Sequence, residues 1–296
     1  MAEMPTPAYS LVRGSATMLV SMSIAGALSI IISIVIARWL GASEFGVYSV
    51  LISVQAVVVL LASFSVGTAI AKYVAEYKSR DEKQALVFAK SGLVLVLILS
   101  ASVCMVYTAL SPIIGEILYN EPMMVVMIPF SAMVVFSASV FATAAGMVQG
   151  CQRFRLLAVM QISYPLLSFV SVLVFLPMMG MKGIFVAFFV SQMAISSASF
   201  AVLNRTWFRF ISARLELGRK SLALSKMYSF ALPAVLGSVM VTPVIWVGNT
   251  ELALSAGFQA MGCFAVAYVV YQALTIIPNA VGTSMMPRVS QLTVVC

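Results

Sequence analysis

The sequence predicts an all-α, polytopic membrane protein of about eight transmembrane helices, a six-helix N-terminal bundle followed by the first two helices of a repeated second half. Three observations carry this. Runs of about twenty apolar residues fill the 296-residue chain almost end to end, and about 20 such residues match a hydrocarbon core roughly 30 Å thick. Hydrophobic residues make up 62% and charged residues 9%, with a mean hydropathy of +1.08, more apolar surface than one water-soluble core could hide. Finally, the positive charges sort to one side of the membrane.

The expected spans are 16–37, 47–71, 85–110, 123–148, 156–177, 183–203, 230–248 and 262–283. Continuous apolar runs of this length read as helices, since a barrel strand needs only about ten alternating residues. Pro129, Pro165, Pro233, Pro243 and Pro278 fall inside or at the ends of spans, where membrane helices tolerate them as kinks.

With the N-terminus in the cytoplasm, fifteen of the 17 Lys and Arg lie on the inner side: Arg13, Lys72, Lys78, Arg80, Lys83, Lys90, Arg153, Arg155, Arg205, Arg209, Arg214, Arg219, Lys220, Lys226 and Arg288. Only Arg38 and Lys182 fall outside. This is a positive-inside pattern, which places both termini in the cytoplasm. The net charge of +8 is therefore an orientation signal and calls for no nucleic acid. The inner loops suit anionic lipid headgroups. The first apolar run is too long for a cleavable signal.

The chain has no His, and Cys104, Cys151, Cys263 and Cys296 show no paired spacing. Zinc, haem and a disulfide framework are not expected, and the cysteines read as small apolar packers. No nucleophile–base pair, metal cluster, Walker motif or redox motif is present, so neither an enzyme nor a nucleotide-driven pump is expected and no cofactor is implied.

The loop 204–229 is the longest. It interleaves Arg205 and Arg209 with Trp207, Phe208, Phe210 and Ile211, as an interfacial helix on the inner leaflet would. We read it as a cytoplasmic linker between a bundle, 1–203, and the start of a second one, 230–296. An internal repeat supports the division. Gly41-Ala-Ser-Glu-Phe-Gly46-Val-Tyr48-Ser-Val50 recurs as Gly257-Phe-Gln-Ala-Met-Gly262-Cys-Phe264-Ala-Val266, with Gly41 and Gly46 mapping onto Gly257 and Gly262 at a constant offset of 216. Gly67-Thr68-Ala69 matches Gly282-Thr283-Ser284 with a slip of one. Both copies follow a helix running outward, so the repeat is parallel, as in transporters built from two similar halves.

Several stretches carry a family resemblance. Ala37-Arg38-Trp39-Leu40-Gly41-Ala-Ser-Glu44-Phe45-Gly46-Val-Tyr48 resembles the first outer loop of polysaccharide flippases. These are the O-antigen and lipid-linked oligosaccharide translocases of the multidrug/oligosaccharidyl-lipid/polysaccharide exporter superfamily. Gly67-Thr-Ala-Ile-Ala-Lys72-Tyr73-Val-Ala-Glu76 resembles the end of their second helix, and Leu176-Pro177-Met-Met-Gly180-Met-Lys-Gly183-Ile-Phe-Val-Ala187 their turn between helices five and six. Tyr228-Ser-Phe-Ala-Leu-Pro233 resembles the entry to helix seven, and Ala265-Val-Ala-Tyr268 the body of helix eight. The resemblance implies flipping of lipid-linked saccharides across a plasma membrane by alternating access. Members carry twelve to fourteen helices, so eight spans read either as a shortened frame or as a divergent protein needing self-association or a partner.

Such cargo carries phosphate, sugar and a lipid tail, and a charge at membrane depth is expected only where it faces a wet cavity. Glu44, Glu116, Glu121 and Glu251 lie in or beside the outer loops, which disfavours the alternative of a cation-coupled multidrug exporter needing an embedded carboxylate. A non-transporting fragment is the third reading. Arg38 and Arg13 are the candidate anion-attracting residues of a cavity formed by helices 1, 2, 7 and 8, Arg38 being the one that defies the positive-inside bias. Gln55, Asn249 and Gln272 are candidate partners for sugar hydroxyls, with Gln161, Gln192 and Asn279 of the same kind; each could equally pin two helices together. The implied partners are membrane lipids and a lipid-linked saccharide.

Overall fold

The structure is a computed structural model. It describes the backbone of residues 7–78, 80–206, 227–231 and 240–292, with 233, 235 and 237 between, and side chains from 20 to 205 and from 227 to 275. Among these residues there is no strand. The helices are α1 (Pro7–Ser63), α2 (Val66–Tyr77), α3 (Glu82–Ala109), α4 (Pro122–Gly150), α5 (Phe154–Met179), α6 (Met181–Thr206) and α7 (Thr242–Leu292), with a π-helical turn at Ile113–Leu118.

Among the described residues six helices are long and apolar enough to cross a membrane, and two of them, each bent at a glycine, cover two of the eight expected spans or parts of them. Spans 16–37 and 47–71 form α1 and α2, bent at Gly41, and α7 is bent at Gly257, so no loop separates the limbs. Gly41 (φ 72°, ψ 176°) and Gly257 (φ 84°, ψ 164°) occupy a region of backbone space open essentially to glycine alone. The repeat seen in the sequence is thus a repeat of backbone conformation. Part of span 230–248, and residues 207–226 of the proposed interfacial linker 204–229, lie outside the described residues.

The two bends meet. A methyl at Gly46 would run into the carbonyl oxygen of Phe258, and one at Gly262 into the carbonyl oxygen of Ala42. Phe258 is Ala42 plus 216 and Gly262 is Gly46 plus 216, so the contact is reciprocal, as across a two-fold axis. Backbone-to-backbone approach of this kind is what small residues permit between membrane helices. The most extensive helix–helix interface, between α1 and α7, is built around it.

Elsewhere glycine serves the same purpose within the first bundle. Gly67 of α2 lies against Ala142 of α4, where a Cβ would sit 2.7 Å from the carbonyl oxygen, and Gly146 abuts Gly67 in return. Between α1 and α2 the chain breaks at Phe64 (φ 43°) and Ser65 (φ 51°), both left-handed. Asp81 caps α3 by accepting from the backbone N–H of Gln84 at 3.1 Å, and Glu121 caps α4 by accepting from that of Met123.

The apolar core is split in two. One cluster, near the glycine bends, joins Ile36, Phe45, Leu51, Met124, Ile128, Phe185 and Met261. The other, at the opposite end, joins Ile70, Val74, Phe88, Met147, Met160, Leu203 and Met227. The two repeat copies are buried unequally. Val50 and Val54 are 0% and 7% exposed, whereas their counterparts Val266 and Val270 are 45% and 57% exposed. Besides α7, α1 has α3, α4 and α5 packed on it; α7 has α1.

Since Gly46 and Gly262 touch backbone, Gly46→Ala and Gly262→Ala are each expected to destabilise the protein by about 1–3 kcal/mol. Gly248→Ala, with open space around its Cβ, serves as the near-neutral control. Thermal unfolding of the purified protein in detergent reads all three.

Candidate functional site

Between the two apolar clusters lies a belt of neutral polar side chains at mid-depth. It draws on the middle of four passes: Gln55 from α1, Ser137 to Thr143 from α4, Gln161 to Ser171 from α5, and Ser191 with Gln192 from α6. Gln192 is the hub. Its amide oxygen accepts from the Ser137 hydroxyl, and its amide nitrogen donates to the Tyr164 hydroxyl at 3.2 Å. Ser191 donates to Ser171 at 3.3 Å, and Ser21 to the amide oxygen of Gln161 at 3.4 Å. Ser139 and Thr143 turn their hydroxyls back to carbonyls one turn earlier.

Two oxygens of the belt lack a hydrogen-bond partner, the Ser168 hydroxyl and the Gln55 amide oxygen. An unpaired buried acceptor costs about 1–3 kcal/mol, so its retention is informative. Each carboxylate among the described residues stands toward a bundle end: Glu44, Glu116, Glu121 and Glu251 toward the glycine bends, Glu76, Asp81 and Glu82 at the other end. The same residues hold no group of three metal-ligating side chains.

At the glycine end the loop before α4 is tied to α7. The Tyr119 hydroxyl lies 2.7 Å from Thr250 Oγ1, and the Trp246 ring N–H donates to the Tyr119 oxygen at 3.1 Å. The π-helical turn delivers Tyr119, 3% exposed, into this contact, and burial holds its phenol above the usual pKa. At the opposite end Met227 and Phe230 pack on α2 and α3. Lys72 Nζ sits 4.1 Å from the Phe230 ring centre and 5.1 Å from that of Tyr73, and Met227 closes over Gly92. Lys78 donates to the carbonyl of Cys151 at 2.8 Å. Burial raises the Cys151 thiol pKa against the pull of Lys78 and Arg153, consistent with a packing role.

The structure does not gather the sequence-predicted site residues in one place. Arg38 is exposed and lines a crevice of about 240 Å³ between α1 and the second limb of α7, with Ser33, Ile34, Ala37, Val266, Val269 and Val270. Gln55 belongs to the belt. Asn249 is half-buried on α7, close to the Tyr119 contact, and Gln272 is exposed on α7; neither lines the crevice. The side chains of Arg13 and Asn279 lie outside the described residues. Sequence reasoning did not single out Tyr119, Trp246 and Thr250, because a loop tyrosine carries no periodic signal. A larger groove, about 570 Å³ between α3, α4 and α6, is lined by Met105, Pro129, Met133, Phe136 and Phe189 among others and is nearly all apolar.

The sequence matches the polysaccharide biosynthesis protein family over residues 11–293. The chain belongs to that family. A search of curated proteins finds no match. Among solved structures, a transporter of the MOP superfamily from Pyrococcus furiosus superposes with a TM-score of 0.69 at 15% identity, over 93% of this chain and 63% of its own length. That protein is described as having a binding pocket of reversed polarity. An outward-facing multidrug-resistance MATE transporter gives 0.65 at 16%, over 93% and 63%. A MATE protein in complex with MaD5 gives 0.68 at 16%, over 98% and 73%. At these identities the likeness is one of fold, and the chain spans less than two thirds of the length of the first two of these structures.

Replacing Tyr119 by Phe removes both bonds of the loop contact and is expected to cost about 1 kcal/mol. In a double-mutant cycle with Trp246→Phe, the coupling is expected to be at least about 0.5 kcal/mol by thermal unfolding. Additive effects would show that the contact carries no energy.

Proposed function

We propose that this protein flips lipid-linked oligosaccharide or polysaccharide precursors across the cytoplasmic membrane by alternating access, without nucleotide hydrolysis. The observation that carries the reading is the neutral hydroxyl–amide belt at mid-depth, in a chain whose family is that of polysaccharide biosynthesis proteins. Sugar hydroxyls both donate and accept, and a belt of Ser, Tyr and Gln answers them without the strong charge that would trap the cargo. Transporter sites lie near the bilayer midplane, at the depth of this belt. Gln55, with its unused acceptor, is the belt residue best placed to take a donor from cargo.

Orientation follows from the charges. Arg38 and Lys182 stand at the glycine end, while Lys72, Lys78, Lys83, Arg153, Arg155 and Arg205 stand at the other. The glycine end is then the outer one, with both termini in the cytoplasm. The two halves meet at that end through Gly46, Gly262 and Tyr119, so a rocking motion that opens the outer face must break these contacts first.

The test is reconstitution of the full chain in liposomes carrying a fluorescent lipid-linked oligosaccharide, with transfer read by a membrane-impermeant quencher. Transfer above protein-free vesicles, with no ATP, is the expected result; none would overturn the reading. Proton- or sodium-driven efflux of a cationic dye in its place would favour the multidrug alternative. Gln55→Leu separates binding from packing. Removing an unpaired acceptor should leave thermal stability unchanged or raised by about 1 kcal/mol, while transfer falls at least several-fold. Unchanged transfer would remove Gln55 from the site.

A further inference from the structure

We propose that the crevice at Arg38 binds the phosphate of a membrane lipid, with the guanidinium as counter-ion and Val266, Val269 and Val270 as the wall for its hydrocarbon chain. The first support is depth. Arg38 lies three residues before Gly41, about 5 Å along the helix from the bend, whereas Val266 to Val270 lie nine to thirteen residues beyond Gly257, about 14–20 Å along theirs. A ligand filling the crevice therefore meets a cation near the membrane surface and, deeper down, aliphatic side chains beside a Ser33 hydroxyl already bonded to Ser29. That is the polarity of a phospholipid.

Charge is the second support. Arg38 has no hydrogen bond or ion pair to any other described residue. Guanidinium pairs with phosphate oxygens through two parallel N–H donors, and this pairing strengthens beside an apolar wall that excludes water. The Ser33 hydroxyl donates to the Ser29 carbonyl at 3.0 Å, which leaves Arg38 as the group that defines the anion's place. A snorkelling arginine would need only exposure; it would not need an apolar crevice reaching down between two helices.

The repeat supplies an internal control. At the position equivalent to Arg38, 216 residues on, stands Leu254, exposed in the same way. The turn through the glycine bend is thus built equally well without a cation, and the arginine answers something outside the fold. The inference concerns binding alone and does not require that the cargo be a saccharide.

The experiment is native mass spectrometry of the full chain after delipidation and re-addition of phosphatidylglycerol, diacylglycerol or inorganic phosphate. One retained phosphatidylglycerol is expected, with diacylglycerol and inorganic phosphate each retained about tenfold less. Arg38→Gln should weaken phosphatidylglycerol retention about tenfold without moving the thermal midpoint. Val269→Phe, which narrows the crevice, should weaken it also. Equal retention by Arg38→Gln, equal retention of diacylglycerol, or displacement by inorganic phosphate at equal concentration would each overturn the proposal. Because no transport is measured, an inactive flippase with Arg38-dependent lipid binding would count against the proposed function and leave this inference standing.

Discussion

The reciprocal approach of two backbones, Gly46 onto Phe258 and Gly262 onto Ala42, is the constraint on which the other contacts depend. It fixes where the second half sits, because the surfaces fit only with glycine on both sides. Once the two bends are seated, Trp246 and Thr250 come within reach of Tyr119, and Val266 to Val270 come to face Ser33 to Arg38. A single larger residue at either crossing would part these pairs together. The asymmetry of what surrounds the crossing then matters, since Arg38 and Tyr119 belong to the first half alone.

Within the first bundle, polarity is arranged by depth. Apolar clusters at both ends hold α1 to α6 together, and the middle is left to hydroxyls and amides. Hydrogen bonds between membrane helices are individually modest, averaging about 0.6 kcal/mol, so the belt is not what holds the bundle together. Its members are satisfied one to another from Ser137 through Gln192 to Tyr164, and the chain of bonds does not include Gln55. A site can be pre-formed by its satisfied members and still present open valences, here at Gln55 and Ser168.

Much of the architecture was legible from residues alone. The offset of 216 was visible as spaced glycines, and glycine is informative here because both copies need backbone angles that no other residue adopts comfortably. Arg38 drew notice because, with Lys182, it breaks a charge rule obeyed by fifteen others, and it lines the crevice beside α7. The spans were legible, but not their joints: hydropathy sees two apolar runs and infers a loop, whereas one glycine turns the chain without interrupting the helix. The belt was partly visible, through Gln55, Gln161 and Gln192. Its serines read as small packers until four helices were superimposed in depth, which is tertiary information. Gln272 illustrates the reverse: an amide in an apolar run looks like a site residue, yet it stands on the open face of α7.

The meeting of the two bends also has a topological consequence. The segments just after Gly41 and Gly257 can meet only if they lie at the same end, so the chain between them must cross an even number of times. Five of those passes are the limb after Gly41 with α2, then α3, α4, α5 and α6, and the sixth leads up to Gly257. Parity is therefore fixed by that contact. Loss or gain of one pass would leave every helix intact and still carry the second copy to the opposite face, some 30 Å from its partner. The repeat can drift in sequence, lengthen its linker or shed its charges, but it can change its helix count only in pairs.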